Sequence, residues 1–202
     1  MIRPACLSLL AVLSLAACQK SEERAAEASS PAPSASPVAP AADPNILSAE
    51  GLGPVRIGMS LADLTAAWGA DSNPAAVGGA EPETCDQFHP AGAPQGVMVM
   101  VQDGKLSRIS LIRDAKVKTD RGFGLGDTAL AIKQAYGGAI VAQPAKYEAA
   151  PAEDLISWSR GGSTSYVQEP TARGVRYEVD QTGKVSAVHA GDPSIQLVEG
   201  CS

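Results

Sequence analysis

Few side chains in this sequence have the types and spacing that catalysis needs. The 202 residues include two histidines, His89 and His189, and neither has a partner at metal-ligand spacing. Glu153 and Asp154 are adjacent carboxylates, but neighbouring residues on a strand point to opposite faces. We therefore predict no enzyme activity, no metal site and no cofactor. A hydrolase would require one histidine in a cleft, with a serine and a carboxylate within reach.

The stretch "GFGLG" raises the question of nucleotide binding. Its glycines, Gly122, Gly124 and Gly126, do not follow the GxGxxG pattern, and no Gly-Lys-Ser/Thr comes after them. The carboxylate of Asp127 would repel a phosphate group. We interpret these glycines as the place where a strand turns into a helix.

The N-terminus, "MIRPACLSLLAVLSLAACQK", has the pattern of a signal peptide. Arg3 precedes the apolar run Cys6 to Leu15, which is too short to span a bilayer. The run ends in "LAAC" and resembles the lipobox of bacterial lipoproteins. The resemblance implies removal of residues 1–17 and acylation of Cys18, and Gln19 after it implies sorting to the outer membrane. The alternative is a secreted protein in which Cys18 is incidental.

Residues 18–45 have the composition of a linker. They are rich in Ala, Pro and Ser, contain no aromatic residue, and have Val38 as their only branched apolar side chain. Such a segment cannot bury enough apolar surface to offset the entropy lost on ordering. We predict a disordered linker that holds a folded module away from a membrane surface.

Two of the four cysteines remain for the folded part. Cys6 would leave with the signal peptide and Cys18 would carry lipid, so Cys85 and Cys201 are left. Outside the cytoplasm such a pair can form a disulfide. A two-cysteine metal or redox site stays open as the alternative, although the sequence contains no CxxC. We predict a structural disulfide between Cys85 and Cys201.

One segment of the chain occurs twice. "VRIGMSLADLTAAWG" (55–69) is followed 68 residues later by "FGLGDTALAIKQAYG" (123–137). Ser60 and Thr128 are good N-cap residues, and a glycine of the kind that ends helices closes each copy. The apolar residues of each copy fall on one helical face. The pattern predicts two helices, with Trp68 and Tyr136 as core anchors.

A second repeated feature follows each predicted helix. "GVMVMVQDGKLSRISLI" (96–112) and "GVRYEVDQTGKVSAVHA" (174–190) both read as two apolar strands around a Gly-Lys turn. "LISWSR" (155–160) predicts one more strand. We therefore expect an α+β fold in which two tandem helix-plus-antiparallel-sheet repeats, 46–118 and 119–202, form one sandwich.

The opening "GMSLADL" (58–64), behind a lipobox and a linker, resembles small outer-membrane lipoproteins of the SmpA/OmlA (BamE-like) kind. Two such units in tandem resemble the β-lactamase inhibitor protein architecture. The ending Glu199-Gly200-Cys201 is similar to that of a group of proteobacterial lipoproteins. Met59 is replaced by Asp127 in the second copy, and the insertion at 73–95 is long. The resemblance carries over no inhibitory contact residue and therefore does not imply β-lactamase inhibition.

Basic residues are concentrated in one short stretch of an acidic chain. The sequence has 22 acidic and 16 basic residues, which argues against general nucleic-acid binding. Six of the basic residues could share one face and meet an acidic partner or lipid phosphates, or they could form an ordinary solvated strand face. They are Lys105, Arg108, Arg113, Lys116, Lys118 and Arg121.

These features together predict a non-enzymatic envelope lipoprotein. Its acyl anchor would place it in the outer membrane, facing the periplasm, and its folded part would bind an envelope protein or support an assembly. The alternative is a module that binds a glycan or small ligand on its sheet, through exposed rings such as Trp158, Tyr166 and Tyr177. The exposure of those rings distinguishes the two.

Overall fold

A computed structural model describes residues 45–76, 78–162 and 166–201. In these residues the chain forms eleven β-strands, two α-helices and two short 3-10 helices. The expected α+β class, with two helix-plus-antiparallel-sheet repeats in one sandwich, is therefore wrong. The fold is β-rich, with one sheet of four strands, one sheet of seven strands, and helices of eight residues each.

The small sheet combines three N-terminal strands with one from the middle of the chain. It contains β1 (Ile46–Ser48), β2 (Gly51–Leu52), β3 (Val55–Arg56) and β7 (Lys118–Thr119). Their order in the sheet is β3-β2-β1-β7, and β1 and β7 run parallel. Because β7 comes at the predicted boundary of the repeats, this sheet contains chain from both sides of that boundary.

The large sheet is antiparallel throughout. It contains β4 (Cys85–Phe88), β5 (Val97–Gln102), β6 (Lys105–Leu111), β8 (Val141–Pro144), β9 (Glu153–Arg160), β10 (Arg173–Val179) and β11 (Val185–Gly191). Their order is β4-β5-β6-β11-β10-β9-β8. The predicted hairpins are confirmed as β5–β6 and β10–β11, and the predicted strand at 155–160 is confirmed as part of β9.

The two hairpins meet at the centre of the large sheet. On β6 and β11, Ser110 lies opposite His189 and Ile109 lies opposite Ala190. Ser110 and His189 are 79 residues apart, which is also the offset between the second strands of the two hairpins. This pair therefore lies on an approximate two-fold axis that relates the halves. The halves continue one sheet, with no boundary between them at this point.

Both helices form where the sequence predicts them. In α1 (Leu61–Trp68) the N-cap Ser60 accepts a hydrogen bond from the amide of Asp63, and in α2 (Ala129–Tyr136) Thr128 caps in the same way. Satisfying an orphan amide of the first turn stabilises each helix start. Trp68 is buried, as expected for a core anchor.

Each helix start is attached to the hairpin of its own half. The amide of Gly58 donates to the carbonyl oxygen of Leu106, in the second strand of the first hairpin, at 2.7 Å. In the second half, the amide of Gly126 donates to the carbonyl oxygen of Val185 at 2.9 Å. The N-cap residues form isolated β-bridges with Lys105 and Lys184. The two halves thus repeat the same local assembly.

The class was mispredicted because several strands lack the pattern that reveals a strand. β4 lies in the Pro- and Gly-rich insertion at 73–95, and β8 is a mostly exposed edge strand. The strands β1 to β3 have only two or three residues each. Strands this short, or this exposed, do not show apolar alternation over enough residues. The helices, with about two turns each, contribute little by comparison.

The hydrophobic core lies on one side of the large sheet, called here the inner face. It includes Leu52 of the small sheet, Leu64 of α1, Ile132 of α2, and Ile109 and Tyr177 of the large sheet. The opposite, outer face is covered by the 3-10 helix Pro193–Gln196 and the residues after it, which contact β6, β10 and β11. The two faces therefore differ in what covers them and, as described next, in their chemistry.

Candidate functional site

A network of polar side chains lies at the centre of the outer face. The Oγ atom of Ser110 is 2.8 Å from Nδ1 of His189. The other ring nitrogen, Nε2, is 3.1 Å from Oε1 of Glu178, but without the alignment of a hydrogen bond. Only 1% of Ser110 and 6% of His189 are exposed. The structure therefore brings a buried serine and a buried histidine together in series with the partly exposed carboxylate of Glu178.

Arg176 connects this series to a second carboxylate. Its Nη2 atom lies 2.8 Å from Oε1 of Glu178 and 3.0 Å from Oδ1 of Asp154. Buried charges require partners of opposite sign, and Arg176 supplies one to both carboxylates. The neighbouring Glu153 points to the inner face and pairs with Lys133 at 2.7 Å. The prediction that Glu153 and Asp154 point apart is thus confirmed.

Two arginines of the sheet hold the C-terminal segment, residues 193–201, over the outer face. Arg108 donates from Nη1 to the carbonyl oxygens of Ser194 and Leu197, at 3.2 and 2.9 Å. Arg176 donates from Nη1 to the carbonyl of Ile195 at 3.0 Å. Burial, together with the charge of Arg176, lowers the pKa of Arg108 to about 10. Arg108 is therefore still charged at neutral pH.

The network has a defined charge state at neutral pH. Burial favours a raised pKa for Glu178, but the contact with His189 and the charges of Arg176 and Arg108 lower that pKa to about 2. Burial lowers the pKa of His189. Burial also raises the pKa of Asp154, against the attraction of Arg176. The network thus combines an ionised Glu178 with a neutral imidazole.

The Ser-His-carboxylate order does not form an open catalytic cleft. Ser110 is enclosed, and no substrate atom could reach its hydroxyl without displacement of the residues that cover it. The other histidine, His89, lies apart, with Nδ1 2.8 Å from the carbonyl oxygen of Val97. In the described part of the chain His89 has no carboxylate partner. The geometry is that of an internal polar network.

The predicted disulfide is confirmed. Cys85 at the start of β4 and Cys201 are joined, with a Cα–Cα distance of 5.4 Å. The bond ties the end of the C-terminal segment to an edge strand of the large sheet. Because both thiols are consumed, this pair does not form the two-cysteine metal site that the sequence left open. Among the residues described by the structure, no three His, Cys, Asp or Glu side chains cluster in a way that could hold a metal ion.

The six basic residues do not share one surface. Arg108 is buried in the outer-face network, whereas the other five are exposed. Lys105 begins β6 and Arg113 lies beyond its other end, so a strand of seven residues, roughly 20 Å long, separates them. Lys118 pairs with Asp127 at 2.9 Å, and Arg121 lies 5.2 Å from the centre of the Tyr136 ring.

The three rings suggested as a ligand platform differ in exposure. Tyr177 is fully buried on the inner face, where its hydroxyl contacts those of Thr119 and Tyr136 at 2.9 and 2.8 Å. Trp158 is partly buried, and Tyr166 is 60% exposed. The expectation of an exposed Tyr177 is wrong because the pleat of β10 directs it into the core.

A cavity of about 590 Å³ opens near the turn of the first hairpin. Its walls include Gly58, Asp103, Lys105, Arg173 and Asp192. The two basic residues form no ion pair with these aspartates, in the part of the chain that the structure describes. The cavity is thus lined by charges of both signs.

The predicted anchor at Cys18, the signal peptide and most of the linker lie outside the described residues. In the described ranges, no helix is both long enough and apolar enough to span a membrane.

The glycine-rich loop at 122–126 lies within the described residues, and its Gly124 amide donates to the carboxylate of Asp127 at 2.8 Å.

Sequence reasoning missed most of the outer-face network. Ser110, Arg176 and Glu178 carry no motif, and their roles depend on strand pairing. One signal was available: the offset of 79 residues between the second strands of the hairpins places Ser110 at the position equivalent to His189. If equivalent strands pair antiparallel about a two-fold axis, these two residues must meet.

No protein-family model, curated protein or solved structure matches the chain. The resemblances to SmpA/OmlA-like lipoproteins and to the β-lactamase inhibitor protein architecture therefore stay predictions.

Proposed function

We propose that this chain is a non-enzymatic, acyl-anchored lipoprotein whose folded part binds another envelope protein. The N-terminal pattern around Cys18 supports an anchor in the outer membrane, with the module facing the periplasm. The partner binds as an extended segment that adds a strand to β8. The observation that carries this proposal is the difference between the two edges of the large sheet.

The β4 edge is covered by the chain itself. The amide of Gln87 donates to the carbonyl of Gly78, and the amide of Ser72 donates to the carbonyl of His89. Covering of this kind is how proteins protect a sheet edge from unwanted pairing. A partner strand therefore has no free row of backbone groups on this side.

The β8 edge is different, because β8 pairs with β9 and with no other strand among the described residues. The amide of Ala145 donates to Ala152 on the β9 side. Since N–H groups alternate along a strand, the backbone groups of Ala142 point to the opposite side. Val141 beside it is 36% exposed. Pro144 lacks an amide hydrogen, which limits the length of added strand and restrains self-association.

Strand addition can be tested by removing the outward N–H group of Ala142. In intact cells, a photo-crosslinking residue at position 141 should give an adduct with one envelope protein. Ala142→Pro removes the outward N–H and leaves in place the N–H groups of β8 that face β9, so the adduct should be reduced at least tenfold. Ala142→Thr keeps the N–H and should leave the adduct unchanged.

Two controls complete this experiment. Ala62 is exposed and occupies the position in α1 that Leu130 occupies in α2, so a crosslinker at Ala62 reports on the other half of the molecule. It should not capture the same protein. Equal adducts from the Pro and Thr variants, or no adduct at position 141, would contradict strand addition.

A further inference from the structure

We propose that the cavity near the first hairpin turn, called here the Arg173 cavity, binds a small zwitterionic ligand of amino-acid or dipeptide size. The carboxylate of the ligand pairs with Arg173 and Lys105, and its ammonium group faces Asp103 and Asp192. This site is separate from the β8 edge and does not depend on the proposed protein partner.

The guanidinium of Arg173 is held in place but only partly used. Its Nη1 atom donates to the carbonyl oxygens of Pro170 and Ala172, at 3.1 and 2.7 Å. Its Nε atom is buried without a hydrogen bond, and the carboxylate of Glu50 forms a long ion pair with it at 3.9 Å. Because Glu50 is half exposed to solvent, this pair is weak. Arg173 therefore lines the cavity with a guanidinium that is fixed in position and only weakly paired.

Gly58 leaves this guanidinium open to the cavity. A Cβ atom at Gly58 would lie 3.9 Å from Nη2 of Arg173, so a larger side chain would cover that atom. The backbone of Gly58 also has φ +89°, a conformation that favours glycine. The equivalent Gly126 has no such neighbour within 4 Å. The site thus exists in only one of the two repeated halves.

The other charges of the cavity complete a pattern for a zwitterion. Lys105 is exposed, and it forms no ion pair with any described residue. Asp103 lies at the hairpin turn, and Asp192 accepts a hydrogen bond from the amide of Ser194 at 2.8 Å. A ligand with only negative charge would be repelled by the two aspartates. A ligand with both charges can satisfy all four groups.

The dimensions of the cavity agree with a small ligand. Its volume of about 590 Å³ lies within the range of roughly 300–1,000 Å³ typical of small-molecule sites. Pro170 adds an exposed apolar surface against which an aliphatic side chain can pack. A single amino acid leaves space to spare, and a dipeptide fills more of it.

Three probes test which charges of the ligand the site requires. Calorimetric titration of the full chain in detergent would compare alanyl-alanine, N-acetyl-alanine and alaninamide. Alanyl-alanine carries both charges and should bind at least tenfold more tightly than either singly charged probe. Titration with alanine alone tests whether the ligand is a free amino acid or a peptide. Alanine binds as tightly as alanyl-alanine if a single amino acid is sufficient.

Matched variants locate the binding. Lys105→Gln should weaken alanyl-alanine binding at least fivefold, whereas Lys184→Gln, the equivalent exposed lysine of the second hairpin, should bind as the wild type does. Arg173→Gln should abolish binding. If the Arg173→Gln variant folds poorly, the comparison of Lys105→Gln with Lys184→Gln still tests the site. No binding of any probe, equal binding of N-acetyl-alanine, or equal losses at Lys105 and Lys184 would overturn the proposal.

Discussion

At the scale of single residues, the protonation states on the outer face depend on the groups that stabilise the charge of Glu178. Its carboxylate contacts both Arg176 and His189, and Arg176 also donates to the C-terminal segment. Burial of a charged group is costly unless the partner charge is close, so these contacts determine the protonation states. The protonation states in turn make stability depend on pH.

We expect the free energy of unfolding to decrease as the pH falls below about 6.5. The pKa of His189 is lowered from 6.5, so the unfolded state takes up a proton that the folded state resists. Glu178 adds a second loss, because its pKa falls from 4.5 to about 2 on folding. Between about pH 5 and pH 2, this carboxylate should account for up to about 3 kcal/mol.

Urea unfolding of the wild type and Glu178→Gln between pH 7 and pH 3 would measure this effect. The variant should be less stable at pH 7, and its difference from the wild type should shrink as the pH falls below 5. Glu83→Gln, at an exposed position outside the network, serves as the control. A difference that stays constant with pH would show that Glu178 does not stabilise the fold through its charge.

At the scale of elements, the helices are short and depend on their ends. Each has about two turns, and isolated helices of that length are unstable in water. α1 is capped twice at its start: Ser60 accepts from the Asp63 amide at 3.2 Å and donates to the Asp63 carboxylate at 2.6 Å. The cap therefore contributes a larger share of stability than it would in a long helix.

Removal of this cap should be measurable. Ser60→Ala should lower the free energy of unfolding by about 1 kcal/mol, because an orphan amide of α1 loses its acceptor. Ser72→Ala, at an exposed loop position, should change it by less than about 0.5 kcal/mol. Chemical denaturation of both variants would make the comparison. If the two losses are equal, the cap does not stabilise α1.

At the scale of the whole molecule, the disulfide links the first strand of the large sheet to the C-terminal segment. Cys85 and Cys201 are 116 residues apart, so the bond encloses most of the large sheet. In the chain-entropy model, closure of a loop this long stabilises the folded state by about 4–5 kcal/mol at most. The bond also secures the end of the C-terminal segment that covers the buried arginines.

The double variant Cys85→Ser, Cys201→Ser should therefore lose stability by up to about 4–5 kcal/mol. Hydrogen exchange should increase first in the C-terminal segment and β4, while β10 and β11 stay protected. Mass spectrometry of exchanged peptides would show the order. Addition of a reductant should change the wild type in the same way and leave the double variant unchanged. Uniform loss of protection across the sheet would contradict a local role.

The sequence alone was enough to determine the features that depend on nearby residues. The caps at Ser60 and Thr128, the two hairpins and the helix positions follow from local chemistry and periodicity, and the structure confirms them. The disulfide followed from elimination, because only one pair of cysteines remained. Each of these inferences needs only a short window of chain or a count of residues.

Only the tertiary structure decided the class of the fold and the chemistry of the two faces. Arg108 and Tyr177 have neighbours on strands far away in the chain, so the pattern around them could not show that both are buried. The strands β4 and β8 exist because a neighbouring strand supplies hydrogen bonds, while their own sequences have little β character. Ser110 meets His189 because β6 pairs with β11. Strand pairing between distant segments, which leaves no local trace, determined all of these outcomes.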